Sequence, residues 1–279
     1  MLYMGPPLKM TTMKQARTFQ RDLARVAFAA ACCLLAAAGP GATELVVLER
    51  AFAASSARQD PDPDALYTNR ESTESARGAI AAWQARLAAN AGDVESGWKL
   101  ARAYYWLGTN GPDSRDDKKV LLRSGMDAAR KVIATAPRQP EGHFWLAANM
   151  GALAESYGLV EGIRYRGAIR EALEMVLATD PAYLQGSADR ALGRWYYKVP
   201  RLFGGNKRKS AEHLEKALAY NPNSIITRLF LAETLIDLDR TEDARQHLTV
   251  AMNAPLDPAW APEDRRFREQ ARVLLESLR

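Results

Sequence analysis

The sequence predicts an all-α chain, a helical-repeat solenoid of about ten helices with inserted loops. Three observations predict it. Apolar residues recur at helical spacing: Ala79-Ile80-Trp83-Leu87, Leu121-Leu122-Met126-Ala129-Ile133 and Ile225-Leu229-Ala232-Leu235-Ile236 each mark one helical face. Beyond Leu66 there is hardly a run of alternating apolar residues, the pattern of a half-buried strand. The helices also recur in pairs, and the pairs share a pattern.

The first helix of each pair carries Leu, then a small residue, then a large apolar residue three further on. It appears at Leu100-Ala101-Arg102-Ala103-Tyr104, Leu146-Ala147-Ala148-Asn149-Met150, Leu192-Gly193-Arg194-Trp195-Tyr196 and Leu231-Ala232-Glu233-Thr234-Leu235. The small residue admits the second helix closely, and the large ones fill the groove between them. Each second helix stops near a proline, at Pro137, Pro181, Pro222 and Pro255, giving intervals of 44, 41 and 33 residues. The pattern is that of the tetratricopeptide repeat (TPR), whose 34-residue period only the last interval approaches. An opening pair is visible as Trp83 to Asn90 leading through Ala91-Gly92-Asp93 into Val94–Leu107.

The extra length falls in three places. Gly108–Lys118 is polar and is expected to be a loop, and Tyr157–Gly162 is expected to join two helices. Val199–Asn206 places an apolar tip, Leu202-Phe203, between Pro200 and Gly204-Gly205. A solenoid tolerates insertions on one face, often the binding face. The last segment, Pro262–Leu278, is an amphipathic helix suited to capping the stack.

Ahead of the repeats, residues 1–42 read as a signal peptide. Lys9, Lys14, Arg17, Arg21 and Arg25 precede the apolar run Val26–Ala38 and the small residues Gly39-Pro40-Gly41-Ala42. The 13-residue run falls short of the roughly 20 residues that span a bilayer as a helix. Residues 43–65 form a linker, its tail (54–65) polar and carrying prolines that deny it helix and sheet, so the repeat domain is expected over 66–279. The whole chain has 38 Lys+Arg against 33 Asp+Glu; cleavage after Ala42 leaves 33 against 32 and removes both cysteines, Cys32 and Cys33. The expected product is exported, periplasmic or envelope-associated, held by its core without disulfides. A lipid anchor at Cys32 is the minor alternative, because Ala29 and Leu34-Leu35 depart from a lipidation site.

Near-neutral charge offers no broad field for nucleic acid, and Lys207-Arg208-Lys209 is only a short basic patch. No catalytic motif emerges. His143, His213 and His247 are scattered without metal-ligand spacing, and no Gly-x-Ser-x-Gly elbow is present. Phe203-Gly-Gly-Asn-Lys207 lacks phosphate-loop spacing and is better read as a turn into a helix. Neither a cofactor nor a metal is called for, and the chain is read as a non-enzyme.

The candidate site is aromatic and cationic. Arg190, Arg194, Tyr197 and Lys198 share one helical face with Trp195 beside it. Arg164 and Tyr165, with Arg166, are expected to open a neighbouring helix, and Phe203 follows in the inserted loop. Such a set suits an apolar ligand bearing a carboxylate, or an acidic segment of a protein partner. The same residues also fit plain packing, with the tryptophan and tyrosines between helices and the arginines paired to Asp189 or Glu171.

The stretch Gly186-Ser187-Ala188-Asp189-Arg190-Ala191-Leu192-Gly193-Arg194-Trp195-Tyr196-Tyr197-Lys198-Val199-Pro200-Arg201-Leu202-Phe203-Gly204-Gly205 is more particular than a generic TPR helix. With Trp98-Lys99-Leu100-Ala101-Arg102, Tyr105-Trp106-Leu107-Gly108 and Glu161-Gly162-Ile163-Arg164-Tyr165, it resembles the T-component (TatT-like) family of bacterial TRAP transporters over about residues 64–279. A more distant likeness, through Leu192-Gly193-Arg194-Trp195-Tyr196-Tyr197, is to regulators of microtubule dynamics. The first resemblance implies a periplasmic helical-repeat accessory protein, trimeric in some members, that binds a P-type substrate-binding protein and hands over apolar carboxylate ligands. The rival expectation is an envelope-assembly or chaperone-like TPR module using the same face for peptides.

Overall fold

The computed structural model describes residues 62–278, and among them it is all-helical: eleven α-helices and one 3-10 turn, with no strand. The expected signal peptide, Cys32 and linker residues 43–61 lie outside the described residues. The helices are α1 (Pro63–Thr68), α2 (Thr73–Ala89), α3 (Val94–Asn110), α4 (Arg115–Thr135), α5 (Pro140–Tyr157), α6 (Leu159–Thr179), α7 (Ser187–Lys198), α8 (Lys207–Tyr220), α9 (Ile225–Ile236), α10 (Thr241–Asn253) and α11 (Ala261–Ser277). The 3-10 turn, Arg201–Phe203, lies between α7 and α8. Each helix packs mainly on its neighbours in sequence, and α3 also packs on α5. This is the solenoid of paired helices that the repeat pattern predicts, with α3, α5, α7 and α9 as first helices and α4, α6, α8 and α10 as second helices.

Starts and stops follow local chemistry. The backbone N–H groups of Ser75, Ser96, Asp117, Lys209 and Thr227 donate to the side chains of Ser72, Asp93, Ser114, Asn206 and Ser224, which cap α2, α3, α4, α8 and α9. Helices α5 and α11 instead use Pro140 and Pro262 in the first turn, where a missing N–H costs nothing.

The same reasoning corrects four expectations. The linker prolines do not keep residues 63–65 out of helix: Pro63 is the first residue of α1, capped by Asp62. The polar stretch Gly108–Lys118 is mostly helical, leaving only Gly111–Ser114 between α3 and α4. Asp116 and Asp117 therefore sit in the first turn of α4, where the helix dipole favours them, rather than in a loop. The joint expected over Tyr157–Gly162 shrinks to Gly158 alone, at φ 89°. Arg164 and Tyr165 consequently lie more than a turn inside α6 instead of opening it.

Two hydrophobic cores run along the stack. The first spans α1 to α7 around Trp83, Leu107, Met150, Leu173 and Leu192, and the second spans α8 to α11 around Leu214, Leu229, Leu231 and Leu248. Burying each such side chain contributes about 1.5–3 kcal/mol. The small residue of the repeat works as expected: a Cβ on Gly193 would meet Leu214 Cγ of α8 at 2.5 Å. Helix α11 caps the second core with Phe267, Leu274 and Leu275, and Trp260 just ahead of it reaches the first.

Candidate functional site

The turn before α7 sets the position of the candidate site. Leu184, Gln185 and Gly186 have successive positive φ values of 44°, 58° and 75°, a reversal that only Gly186 announces in sequence. Asn221 Nδ2 donates to Gln185 Oε1 at 2.5 Å, holding this turn against the end of α8. Helix α7 then presents two different sides.

Its inner side carries Arg190, Arg194 and Tyr197. Arg194 Nε donates to Glu155 of α5 at 3.1 Å and its Nη1 donates to Glu233 of α9; the guanidinium lies 4.3 Å from the centre of the Phe230 ring. It is thus a strut between three first helices, paired with Glu155 and Glu233 rather than with Glu171 or Asp189. Asp189 accepts instead from His213, at 2.7 Å on Nδ1. Tyr197 is covered by Lys207, whose Nζ stands 3.3 Å from the ring centre and pairs with Asp237 at 2.8 Å. Burial pushes the Tyr197 hydroxyl above its ordinary range, with Asp237 and Glu233 adding to the push. Lys198 is exposed and lies 5.6 Å from the Tyr197 ring centre.

Arg190 differs from Arg194. Burial pulls its guanidinium below the ordinary range, opposed by Tyr105 of α3 and Asp264 of α11, and among the described residues no carboxylate lies within ion-pair distance. It stays charged at neutral pH. An unpaired cation in this setting is a ready acceptor of an anion.

The other side of α7 faces α6. Trp195 is buried, and its Nε1–H donates to Arg166 O at 2.9 Å. Arg166 stacks on Phe203 at 5.6 Å, so the inserted loop packs against α6. Tyr165 is half-buried against the first core. Arg164 is exposed and shares the buried Glu161 with Lys119 and Arg123 of α4. The expected cluster therefore divides: Arg190, Arg194 and Tyr197 face the first helices, while Trp195, Phe203, Tyr165 and Arg164 belong to the α6 side. The physical reason is that α7 is flanked on both sides, so residues one or two positions apart meet different neighbours.

Other residues complete the inner face. Arg102 of α3 lies 4.0 Å from the Tyr67 ring centre and 5.0 Å from that of Trp98, with its Nε buried and without a hydrogen-bond partner. Its nearest carboxylate oxygen, on Asp64, is 4.0 Å away. Burial pushes the hydroxyls of Tyr105 and Tyr183 upward. Trp98, Arg102 and Tyr105 stand at i, i+4 and i+7, a spacing legible in sequence that identifies one helical face but not what that face meets.

Helix α11 closes over this side. Arg70, buried in the α1–α2 turn, donates from Nε to Glu263 Oε1 at 3.1 Å and from Nη2 to Glu263 Oε2 at 2.5 Å. The same Nη2 donates to Ala259 O at 2.9 Å, and Trp106 Nε1–H donates to Arg70 O at 2.8 Å. Arg265 pairs with Glu71 at 2.5 Å, so the two ends of the repeat stack are joined. The charges of Glu263 and Arg266 reach Tyr105, and that of Asp264 reaches Arg190.

Among the described residues no helix is long and apolar enough to cross a membrane, and no group of His, Cys, Asp and Glu side chains is placed to hold a metal ion. The chain is similar to known proteins in fold and in sequence. It is similar to a thermophilic TPR protein from Thermus thermophilus, with a TM-score of 0.57 at 21% identity, covering 77% of this chain and 98% of that one; this likeness is one of fold. Regulator of microtubule dynamics protein 1 of Mus musculus is 23% identical over 202 residues, covering 67% of this chain and 65% of the relative. The Bos taurus protein of the same name is 25% identical over 200 residues, covering 66% of this chain and 61% of the relative. The chain thus spans less than two thirds of the length of these curated relatives. Residues 62–279 match the family described as Regulator of microtubule dynamics protein 1-3, and the chain belongs to that family.

Proposed function

We propose that this chain is a non-enzymatic TPR-type interaction module that docks a protein partner on the face formed by α3, α5, α7 and α9. The observation that carries this reading is the lining of that face. Arg102, whose one carboxylate neighbour is Asp64 at 4.0 Å, lies over the rings of Tyr67 and Trp98, and Arg190, without a carboxylate in ion-pair distance among the described residues, lies near Tyr105. Aromatic and arginine side chains in a recess are the usual anchors of a protein interface. A solenoid face is defined by shape and re-specified by its lining, so one fold serves relatives named for microtubule dynamics and a chain with other partners.

The finer reading is an exported accessory T-component of a TRAP-type transport system. Its support is the Gly186–Gly205 stretch and the leader-like residues 1–42. The partner would then be a P-type substrate-binding protein. A second reading, an apolar carboxylate ligand, draws on Arg190, whose unpaired guanidinium would meet the ligand's charge.

The test is capture with the full-length protein as bait, followed by native mass spectrometry. A stoichiometric complex with a P-type substrate-binding protein is the expected result. Recovery of unfolded envelope proteins alone would reject transport in favour of a chaperone-like role. A bound small carboxylate, lost in the variant Arg190→Met, would establish the ligand reading.

A further inference from the structure

Helix α11 and its approach, Pro255–Trp260, occupy part of the face on which a partner would dock. Three observations bear on how they are held. Of its 17 residues only Asp264 and Ala271 are buried, against seven of twelve in α9. The contacts to the far end of the stack are largely polar, the Arg70–Glu263 and Arg265–Glu71 pairs and the Arg70 bond to Ala259 O. Seating the segment draws two carboxylates out of water, Glu263 against Arg70 and Asp264 against the backbone N–H of Asp257, and burial raises the pKa of both above the ordinary range. Desolvating charges costs several kcal/mol per ion and is repaid only in part by pairing. A helix seated in this way is exchangeable.

The seated residues also have a chemistry. Trp260, at the N-cap of α11, stands three and seven positions before Glu263 and Phe267, which lie one turn apart in the helix. Trp260 packs on the first core, Glu263 on Arg70, and Phe267 lies edge-on to Phe230 with 6.1 Å between ring centres. The receiving side offers Arg70, which Glu263 pairs, and beside it Arg102 and Arg190, cations that suit a carboxylate on the seated helix.

We propose that α11 is a self-docked occupant of this face. The partner presents a helix of the same chemistry, an aromatic residue followed three positions later by a carboxylate, and binds by displacing α11. This deepens the docking reading and rests on it. Displacement leaves α3 to α9 folded, because Trp260, Phe267, Leu274, Leu275 and Leu278 lie at the partly buried margins of the two cores and only Ala271 enters the second.

The test uses the full-length protein and, as probe, a fluorescein-labelled synthetic peptide of residues 257–272. Three proteins are compared: wild type, Glu263→Lys, and Arg265→Glu, which breaks only the exposed pair with Glu71. The Glu263→Lys protein is expected to bind the probe at least tenfold more tightly than wild type. Its α11 amides should exchange with solvent faster while α3 to α9 stay protected. The Arg265→Glu protein should move both readings the same way by less. A control peptide carrying Trp260→Ala and Glu263→Lys should not bind. Unchanged α11 exchange in Glu263→Lys, or faster exchange without a gain in probe affinity, overturns the proposal. If Glu263→Lys unfolds α3 to α9 as well, Arg265→Glu decides by the same two readings. A partner captured by wild type that the probe fails to displace would reject the exchange but leave docking intact. Absence of any captured partner would reject docking itself, whatever the peptide does.

Discussion

Replacing one glycine on each of two helices should move stability in opposite directions. On Gly193 of α7 a new Cβ would lie 2.5 Å from Leu214 Cγ, 2.9 Å from Leu214 Cδ2 and 3.1 Å from Ser210 O. Leu214 is wholly buried, and Ser210 Oγ donates to Gly193 O at 2.8 Å within a buried network that includes Thr234. The methyl can be admitted only by moving α7 from α8, an overpacking that costs about 1–3 kcal/mol. Helix propensity returns up to about 1 kcal/mol, because alanine loses less backbone entropy than glycine. The net for Gly193→Ala is a loss of about 1–2 kcal/mol, or roughly 2–8 °C in Tm for a domain of this size. Gly167 of α6 is exposed, with nothing within 4 Å of a new Cβ. There only the propensity term operates, so Gly167→Ala should gain about 0.5–1 kcal/mol, or roughly 1–4 °C. Calorimetry of the two variants beside wild type measures both shifts. If the Gly193 variant proved as stable as the Gly167 variant, close approach at the small position would not hold the helix pairs together.

Further expectations follow from the closing contact and from buried ionisable groups. Arg70→Ala leaves Glu263 without its partner and should cost about 3–5 kcal/mol in urea unfolding, whereas the double variant Arg70→Met/Glu263→Leu should come within about 1 kcal/mol of wild type. Equal losses in the single and double variants would contradict the pairing as the source. Burial pushes the Tyr67 hydroxyl up to about 12 in the folded chain, from an ordinary value near 10. The unfolded chain therefore releases this proton first, and stability should fall as pH rises from about 10 toward 12. Tyr67→Phe should make that alkaline slope shallower in pH-dependent melting, and an unchanged slope would assign it elsewhere. Burial and the neighbouring Arg228 hold His247 below its ordinary pKa, so the unfolded chain takes up this proton first as pH falls. Stability should decline below about pH 6.5, and His247→Gln should flatten the decline as followed by urea midpoints.

Much of the fold is legible in sequence because its determinants are local. The Leu-small-x-x-large pattern locates all four first helices, and the capping residues Ser72, Asp93, Asn206 and Ser224 sit where the helices begin. The polar stretch around Arg115 misleads because composition alone does not separate an exposed helical turn from a loop, and Ser114 is the cue that a helix starts there. Neither Leu184 nor Gln185 advertises a positive φ; the turn is imposed by the contacts of Gly186 and Gln185 with the end of α8. The site is less legible. Helical spacing groups Arg190, Arg194 and Tyr197 correctly, but which guanidinium is paired depends on Glu155 and Glu233, 39 residues away on either side. The seating of α11 against Arg70 bridges 193 residues, and no local pattern encodes a contact of that range.

Site-resolved photo-crosslinking addresses docking on the first-helix face most directly. A photoreactive phenylalanine analogue would be placed in the full-length protein at Tyr105 or Tyr197 of the inner face, and at Ala168 or Tyr220 of the exposed second helices. Crosslinks to a common partner from Tyr105 and Tyr197, with none from Ala168 and Tyr220, are the predicted result. Crosslinks confined to Ala168 and Tyr220 would contradict it.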